Sequence, residues 1–173
     1  NKKVFDTAGE DVSLTGMGTT IVATLVVNRT LFTVNVGDSR MYLIKDGVAT
    51  QITKDHSYVQ YLVDTGRMTE EEAKRSINRN IITRAVGTDT VVEPDIYITR
   101  LPGALRGAPA DHIGLLCSDG LTNHVSSEEL AECVKHACAV DSDRKLGPLC
   151  EILIDMANDG GGSDNITALI FTV

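Results

Sequence analysis

The stretch TTIVATLVVNRTLFTVNVGDSRMYLIKDGVATQIT, residues 19–53, decides the fold. Residues 19–27, 31–36, 40–45 and 48–53 are rich in Val, Ile, Leu, Thr and Tyr, and they are separated by Asn28-Arg29-Thr30, Gly37-Asp38-Ser39 and Asp46-Gly47. Short β-prone runs joined by such tight turns predict an antiparallel meander of four strands. In the second run Phe32, Val34 and Val36 share one face and Leu31, Thr33 and Asn35 the other, so the alternation is partial and one face is drier than the other.

Outward from this block the character changes. Residues 57–64 read as a short helix stopped by Thr65-Gly66, and MTEEEAKRS offers Thr69 as an N-cap followed by three glutamates, where the helix dipole favours negative charge. A helical flap is therefore expected at about residues 57–88. Pro94 opens a strand over residues 95–101, the Pro- and Gly-rich stretch around 103–110 is a loop, and residues 112–117 form a buried strand. Ser126 or Ser127 caps a helix over 128–138, Asp141 or Ser142 starts another that ends near 158–160, and the last strand covers 165–173. Strands, then helices, then a returning strand predict one α+β domain over residues 1–173, with helices packed on antiparallel sheets.

Composition narrows the function. With 173 residues, 42% hydrophobic and 23% charged, the chain can bury one core. Its net charge of -8 argues against nucleic acid or an anionic membrane as a partner, since both need a basic face. Cys117, Cys133, Cys138 and Cys150 lack C-x-x-C spacing and sit in apolar or helical contexts, as reduced thiols do. No run approaches the roughly 20 apolar residues of a membrane span, and the expectation is a soluble, cytoplasmic protein.

Two Ser-Asp pairs carry the chemistry. LLCSDGLT (115–122) places Asp119 just after an apolar strand, and GGGSDNIT (160–167) places Asp164 just before one. If those strands are neighbours, the carboxylates converge at one end of a sheet, the kind of oxygen site that Mg²⁺ and Mn²⁺ choose. The plain alternative is that each aspartate closes a turn or caps a helix. A cysteine-dependent phosphate loop is a poor competitor: only Cys138 and Arg144 have the Cys-x5-Arg spacing, and the intervening AVDSD has two acids and no glycine.

The set GMGTT (16–20), VGDSR (36–40), DHS (55–57), NIITRAVGT (80–88), LLCSDGLT and SDNIT (163–167) resembles, in order and spacing, the type 2C metal-dependent protein serine/threonine phosphatases, in their bacterial branch. The similarity runs over essentially the whole chain. It implies two packed antiparallel β-sheets flanked by helices, with a two-metal centre of Mn²⁺ or Mg²⁺ at one end. It assigns Asp119 and Asp164 to those metals, supported by Gly120 and Asn165, and Asp55 to a third metal. Asn123 stands where some members carry a further aspartate. A water activated between the metals would attack phosphoserine or phosphothreonine, so no side chain serves as nucleophile. Phosphorylated proteins are the implied partners, together with a serine/threonine kinase acting on the same targets.

The resemblance also implies an N-terminal segment with an Arg-x-x-Asn-Glu-Asp motif for the phosphate and an Asp-Gly-x-Gly-Gly-His motif for bridging the metals. Neither occurs here, and residues 1–20 look like the end of the helix that follows them, so the fold is expected to be N-terminally truncated. Open strand edges and apolar faces should result unless that segment or another chain covers them. Two readings follow, a phosphoprotein phosphatase impaired as this chain alone, and a non-catalytic binding module with the phosphatase fold. Asp38 and Arg40 read as a tight turn, and His56, Arg79 and Arg84 as structural or solvated residues. His112, His124 and His136 have no ligand spacing.

Overall fold

A computed structural model describes residues 1–102, 112–140 and 146–173. Helix α1 (Lys2–Glu10) leads through a single 3-10 turn, Val12–Leu14, into β1 (Ile21–Val27), β2 (Thr30–Val36), β3 (Arg40–Lys45) and β4 (Val48–Gln51). Helices α2 (Tyr58–Asp64) and α3 (Glu70–Arg75), strand β5 (Asp95–Arg100) and strand β6 (Ile113–Cys117) follow. The chain closes with α4 (Asp119–Thr122), α5 (Ser127–Val140), α6 (Leu146–Asp159) and β7 (Ala168–Thr172). The expected helix start at Asp141 or Ser142, the side chain of Cys138 and the loop around 103–110 lie outside the described residues.

The four strands at the start do not form one meander. They split between two sheets, ordered β1-β2-β5 and β4-β3-β6-β7. Both hairpins turn as the sequence suggests, with Asn28 and Arg29 at φ 46° and 59° and Asp46 and Gly47 at 51° and 76°, the doubly left-handed geometry of a two-residue hairpin. The break comes at Gly37 (φ 110°), whose N–H donates to His56 Nδ1 at 3.0 Å and whose carbonyl accepts from the His56 N–H at 2.9 Å. A backbone engaged in this way by a residue 19 positions on cannot also close a β2–β3 ladder. A Cβ at Gly37 would lie 2.3 Å from Thr20 Cγ2, so the crossing also requires glycine.

The chain divides into two compact units, Asn1–Ala23 with Val34–Ser39 and Lys54–Ile96, and Thr24–Thr33 with Arg40–Thr53 and Tyr97–Val173. In the second, β6 lies between β3 and β7 with antiparallel registers Tyr42↔Leu115 and Leu115↔Ile170. Tyr42, Ile44, Ile113, Leu115 and Cys117 bury one face of this sheet against Leu121, Val125, Leu130 and Val134 and against Leu149, Leu153 and Ala157 of α6. Ser126 caps α5 reciprocally: its Oγ accepts from the Glu129 N–H at 3.2 Å, and Glu129 Oε2 accepts from the Ser126 N–H at 2.8 Å. Pro148 falls in the first turn of α6, where its missing N–H costs nothing. Cys117 is buried and Cys133 and Cys150 half-buried, none of the three in a disulfide, and burial pushes the Cys133 and Cys150 thiols up.

β2 buries Leu31, Thr33 and Asn35 and leaves Phe32 at 37% exposure. The buried polar groups are mostly satisfied, Thr33 by the Thr24 hydroxyl at 2.9 Å and the Asn35 amide by the carbonyls of Gly37 and Lys54. Leu25 on β1 and Ile98 on β5 remain 63% and 60% exposed.

In the first unit the two ends of the segment from Ser57 to Ile82 are tied together. Ser57 bridges to Ile82, the Tyr58 N–H donates to the Ile81 carbonyl and the Thr83 N–H to that of His56, both at 2.8 Å. Ser57 caps α2 through the Gln60 N–H, and Thr69 with Glu72 forms a full capping box on α3. At the other end of the unit Asn1 Oδ1 accepts from the Gly87 N–H at 2.8 Å, and Val4 fills the space where a Gly87 Cβ would stand.

Leu153 has no exposed surface at the centre of the helix–sheet core. Leu153→Ala is expected to lower unfolding free energy by about 2–5 kcal/mol in urea titrations, whereas Leu169→Ala, 53% exposed on β7, stays within about 1 kcal/mol.

Candidate metal centre

Asp119 and Asp164 are placed by the β6–β7 pair. Cys117 is opposite Ala168, so the two chain segments diverge from the same strand end, one into α4 and the other back toward α6. The ladder does not stop abruptly there. The Ser118 N–H donates to the Thr167 carbonyl at 3.1 Å, and the Ser118 hydroxyl accepts from the Thr167 N–H at 3.0 Å and donates to the Asn165 carbonyl at 3.1 Å. This explains why the final strand starts at Ala168 and not at 165: over those residues a side chain replaces the backbone ladder. Gly120 is required by the same closeness, since a Cβ there would lie 2.4 Å from the Asn165 carbonyl oxygen.

Neither carboxylate does what a turn or cap aspartate does. Ser118, not Asp119, holds the N-cap position of α4, and among the described residues Asp119 Oδ2 accepts only the Asn123 side-chain amide at 3.3 Å. Asp164 Oδ1 accepts from the adjacent Asn165 N–H at 2.7 Å, not from the residue two or three positions on. Asp11 shows the ordinary Asx pattern by contrast, with its Oδ1 accepting from the Ser13 hydroxyl at 2.7 Å and the Ser13 N–H at 2.8 Å, which together lower its pKa. Among the described residues, Asp119 Oδ1 and Asp164 Oδ2 accept no hydrogen bond, and neither aspartate forms an ion pair with a lysine or arginine.

Free carboxylate oxygens at one strand end suit a hydrated Mg²⁺ or Mn²⁺, which takes one or two carboxylates and keeps several waters. No group of three or more His, Cys, Asp or Glu side chains placed to hold a metal occurs among the described residues. Asp55 is half-buried in the first unit, directly ahead of His56 and the flap base.

Two histidines have structural tasks that the sequence did not disclose. The His56 ring accepts the Gly37 N–H at Nδ1, and its Nε2 lies 3.1 Å from Asp95 Oδ2 and 2.9 Å from Arg84 Nη1. Arg84 donates to Asp95 Oδ1 at 2.7 Å and to the Glu93 carbonyl at 3.1 Å, so it is engaged within the protein while its side chain stays 39% exposed. His124 packs on the Gly160-Gly161-Gly162 loop, with its Nε2 2.9 Å from Ser163 Oγ. The glycine triplet was itself the signal: three successive residues without Cβ call for something packed close against them.

Two sheets flanked by helices make this an α+β domain, with Asp119 and Asp164 flanking the paired ends of β6 and β7. The model of the family described as Protein phosphatase 2C matches residues 3–166, and the chain belongs to that family. It is 39% identical over 170 residues to the serine/threonine phosphatase stp of Listeria innocua, covering 98% of this chain and 62% of that protein. The structure of serine/threonine phosphatase Stp1 from Staphylococcus aureus is similar at a TM-score of 0.84 and 37% identity, over 98% of this chain and 61% of that one. The catalytic domain of the serine threonine protein phosphatase PstP, solved in complex with 2 manganese ions, gives 0.79 and 37% over 99% and 66%. The chain thus spans a little over three fifths of the length of these first relatives.

Two outcomes test the local geometry. Gly120→Ala must push the Asn165 backbone away, and it is expected to cost about 1–3 kcal/mol by denaturation and to alter amide exchange at residues 163–167. At Asp95 desolvation raises the pKa, but hydrogen bonds from Arg84 and His56 outweigh it and hold the carboxyl below its ordinary 3.8. That stabilisation is full above about pH 4 and is lost as pH falls through the lowered value. With the side chain 41% exposed the effect is up to about 1 kcal/mol, so Asp95→Asn is expected to be less stable than wild type at neutral pH and to converge with it in acid titrations.

Proposed function

We propose that this chain carries the greater part of a protein serine/threonine phosphatase, hydrolysing phosphoserine and phosphothreonine monoesters with Mn²⁺ or Mg²⁺. The observation that carries the reading is the pair Asp119 and Asp164, brought to one end of β6–β7 with oxygens engaged by neither caps nor lysine and arginine partners among the described residues. Membership of the family, and the two manganese ions held by PstP, support the choice of cation. Gly120 and Asn165 support the site, and Asp55 is the proposed ligand of a third cation.

Divalent cations held there would supply charge to phosphoryl oxygens and acidify water. The protein's own contribution is placement. The Asn123 amide orients the Asp119 carboxylate, the Asn165 N–H orients that of Asp164, and Ser118 fixes the backbone between the two strand ends. Phosphorylated proteins are the proposed substrates, opposed by a serine/threonine kinase acting on the same targets, and the cytoplasm is the proposed compartment. Among the described residues no helix is long and apolar enough to cross a membrane.

The test is hydrolysis of p-nitrophenyl phosphate and of a phosphothreonine peptide in millimolar Mn²⁺. Activity is expected to vanish with EDTA and to fall at least about 100-fold in Asp119→Ala, beyond the usual effect of losing a residue that only supports a ligand. Folded wild-type protein without metal-dependent turnover, both alone and with an added peptide carrying the Arg-x-x-Asn-Glu-Asp and Asp-Gly-x-Gly-Gly-His motifs, would sink the enzymatic reading in favour of a non-catalytic binding module.

A further inference from the structure

We propose that His124 is a positioning residue that fixes Asp164 relative to Asp119, an inference that rests on the metal reading of those two carboxylates. His124 lies at the end of α4, with its N–H donating to the Leu121 carbonyl at 3.2 Å, on the same short segment that carries Asp119. Its Nε2 meets the Ser163 hydroxyl at 2.9 Å and the Ser163 N–H at 3.4 Å. A backbone N–H can only donate, so Nε2 is the acceptor for both groups and the ring proton sits on Nδ1. Ser163 is therefore held by its side chain and its main chain together, one residue before Asp164.

The loop is built around this ring. A Cβ at Gly160 would lie 3.0 Å from the His124 Cβ, and one at Gly161 would lie 3.2 Å from Cε1. Gly161 and Gly162 also sit at φ 132° and 51°, and the three N–H groups donate to the Met156, Asn158 and Ala157 carbonyls at the end of α6. Three exposed glycines in sequence have the largest backbone freedom a chain can offer. Left to themselves they would let Asp164 wander.

Asp164 is instead bracketed. Ahead of it His124 holds Ser163, and beyond it Ser118 holds Asn165 and Thr167. Both anchors come from the segment 118–124, with Asp119 between them. What the two anchors jointly determine is the separation of the two carboxylates, the quantity a cation reads most strictly.

The experiment compares Mn²⁺ affinity, from electron paramagnetic resonance of the free ion, in wild type, His124→Ala, His124→Gln and Ser163→Ala. His124→Ala is expected to weaken binding about 10-fold or more. His124→Gln, whose amide oxygen can accept from the same two donors, is expected to stay within about 3-fold, a rescue that a packing role alone would not give. Combining His124→Ala with Ser163→Ala is expected to be no worse than the more severe single change. In metal-free protein His124→Ala should speed amide exchange at 160–165 while leaving the circular dichroism unchanged. Wild-type affinity and exchange in His124→Ala, with binding abolished by Asp119→Ala, would overturn this inference alone. Mn²⁺ binding indifferent to Asp119→Ala would overturn the metal reading and this inference with it.

Discussion

Everything at the candidate centre depends on how strand β6 ends. Buried between β3 and β7, it must keep every N–H and carbonyl paired to its last residue, because an unpaired buried backbone group costs as much as a lost hydrogen bond. At Cys117 the neighbouring strand begins to pull away, and Ser118 takes over by offering one N–H and one hydroxyl to two residues of the departing strand. Because one small side chain closes the ladder, the two backbones stay near contact for one more turn. Gly120 against the Asn165 carbonyl is the mark of that closeness. The carboxylates ride on its two sides.

What could be read from the sequence was local. The two-residue hairpin turns, the Thr69 cap and the apolar run of β6 are each specified by neighbours in the chain, and each appears where expected. The division of the first four strands between two sheets was not legible, because it is decided by His56 capturing the backbone of Gly37 from 19 positions away. In the same way Asp119 and Asp164 could be named from their motifs, while His124 could not. Its partner is 39 residues distant, and no ligand-like spacing points to it.

The glycines before Asp164 serve the packing of the protein itself. Three residues without Cβ beside a carboxylate leave room, and the question is what occupies it. In the structure that room is filled by the His124 ring and by the carbonyls that close α6. Gly120 follows the same logic, its missing Cβ being occupied by the Asn165 backbone. Glycine here permits close approach between parts of the protein, and the freedom it brings is removed by anchors on either side.

The cost of the arrangement lies in its charge. Two carboxylates are gathered at one strand end and, among the described residues, no lysine or arginine pairs with either, in a chain already carrying a net charge of -8. Like charges drawn together oppose folding, and a chain needing only a cap or turn could have placed serine or threonine there, as it does at Ser57, Thr69 and Ser126. A divalent cation bound there, as proposed, would reverse the sign of that interaction. Since it would bind the folded chain and find no such pair assembled in the unfolded one, its binding energy would add to the stability of the fold. The residues that hold the two aspartates in place would then gain from occupancy a stabilisation that the metal-free protein lacks.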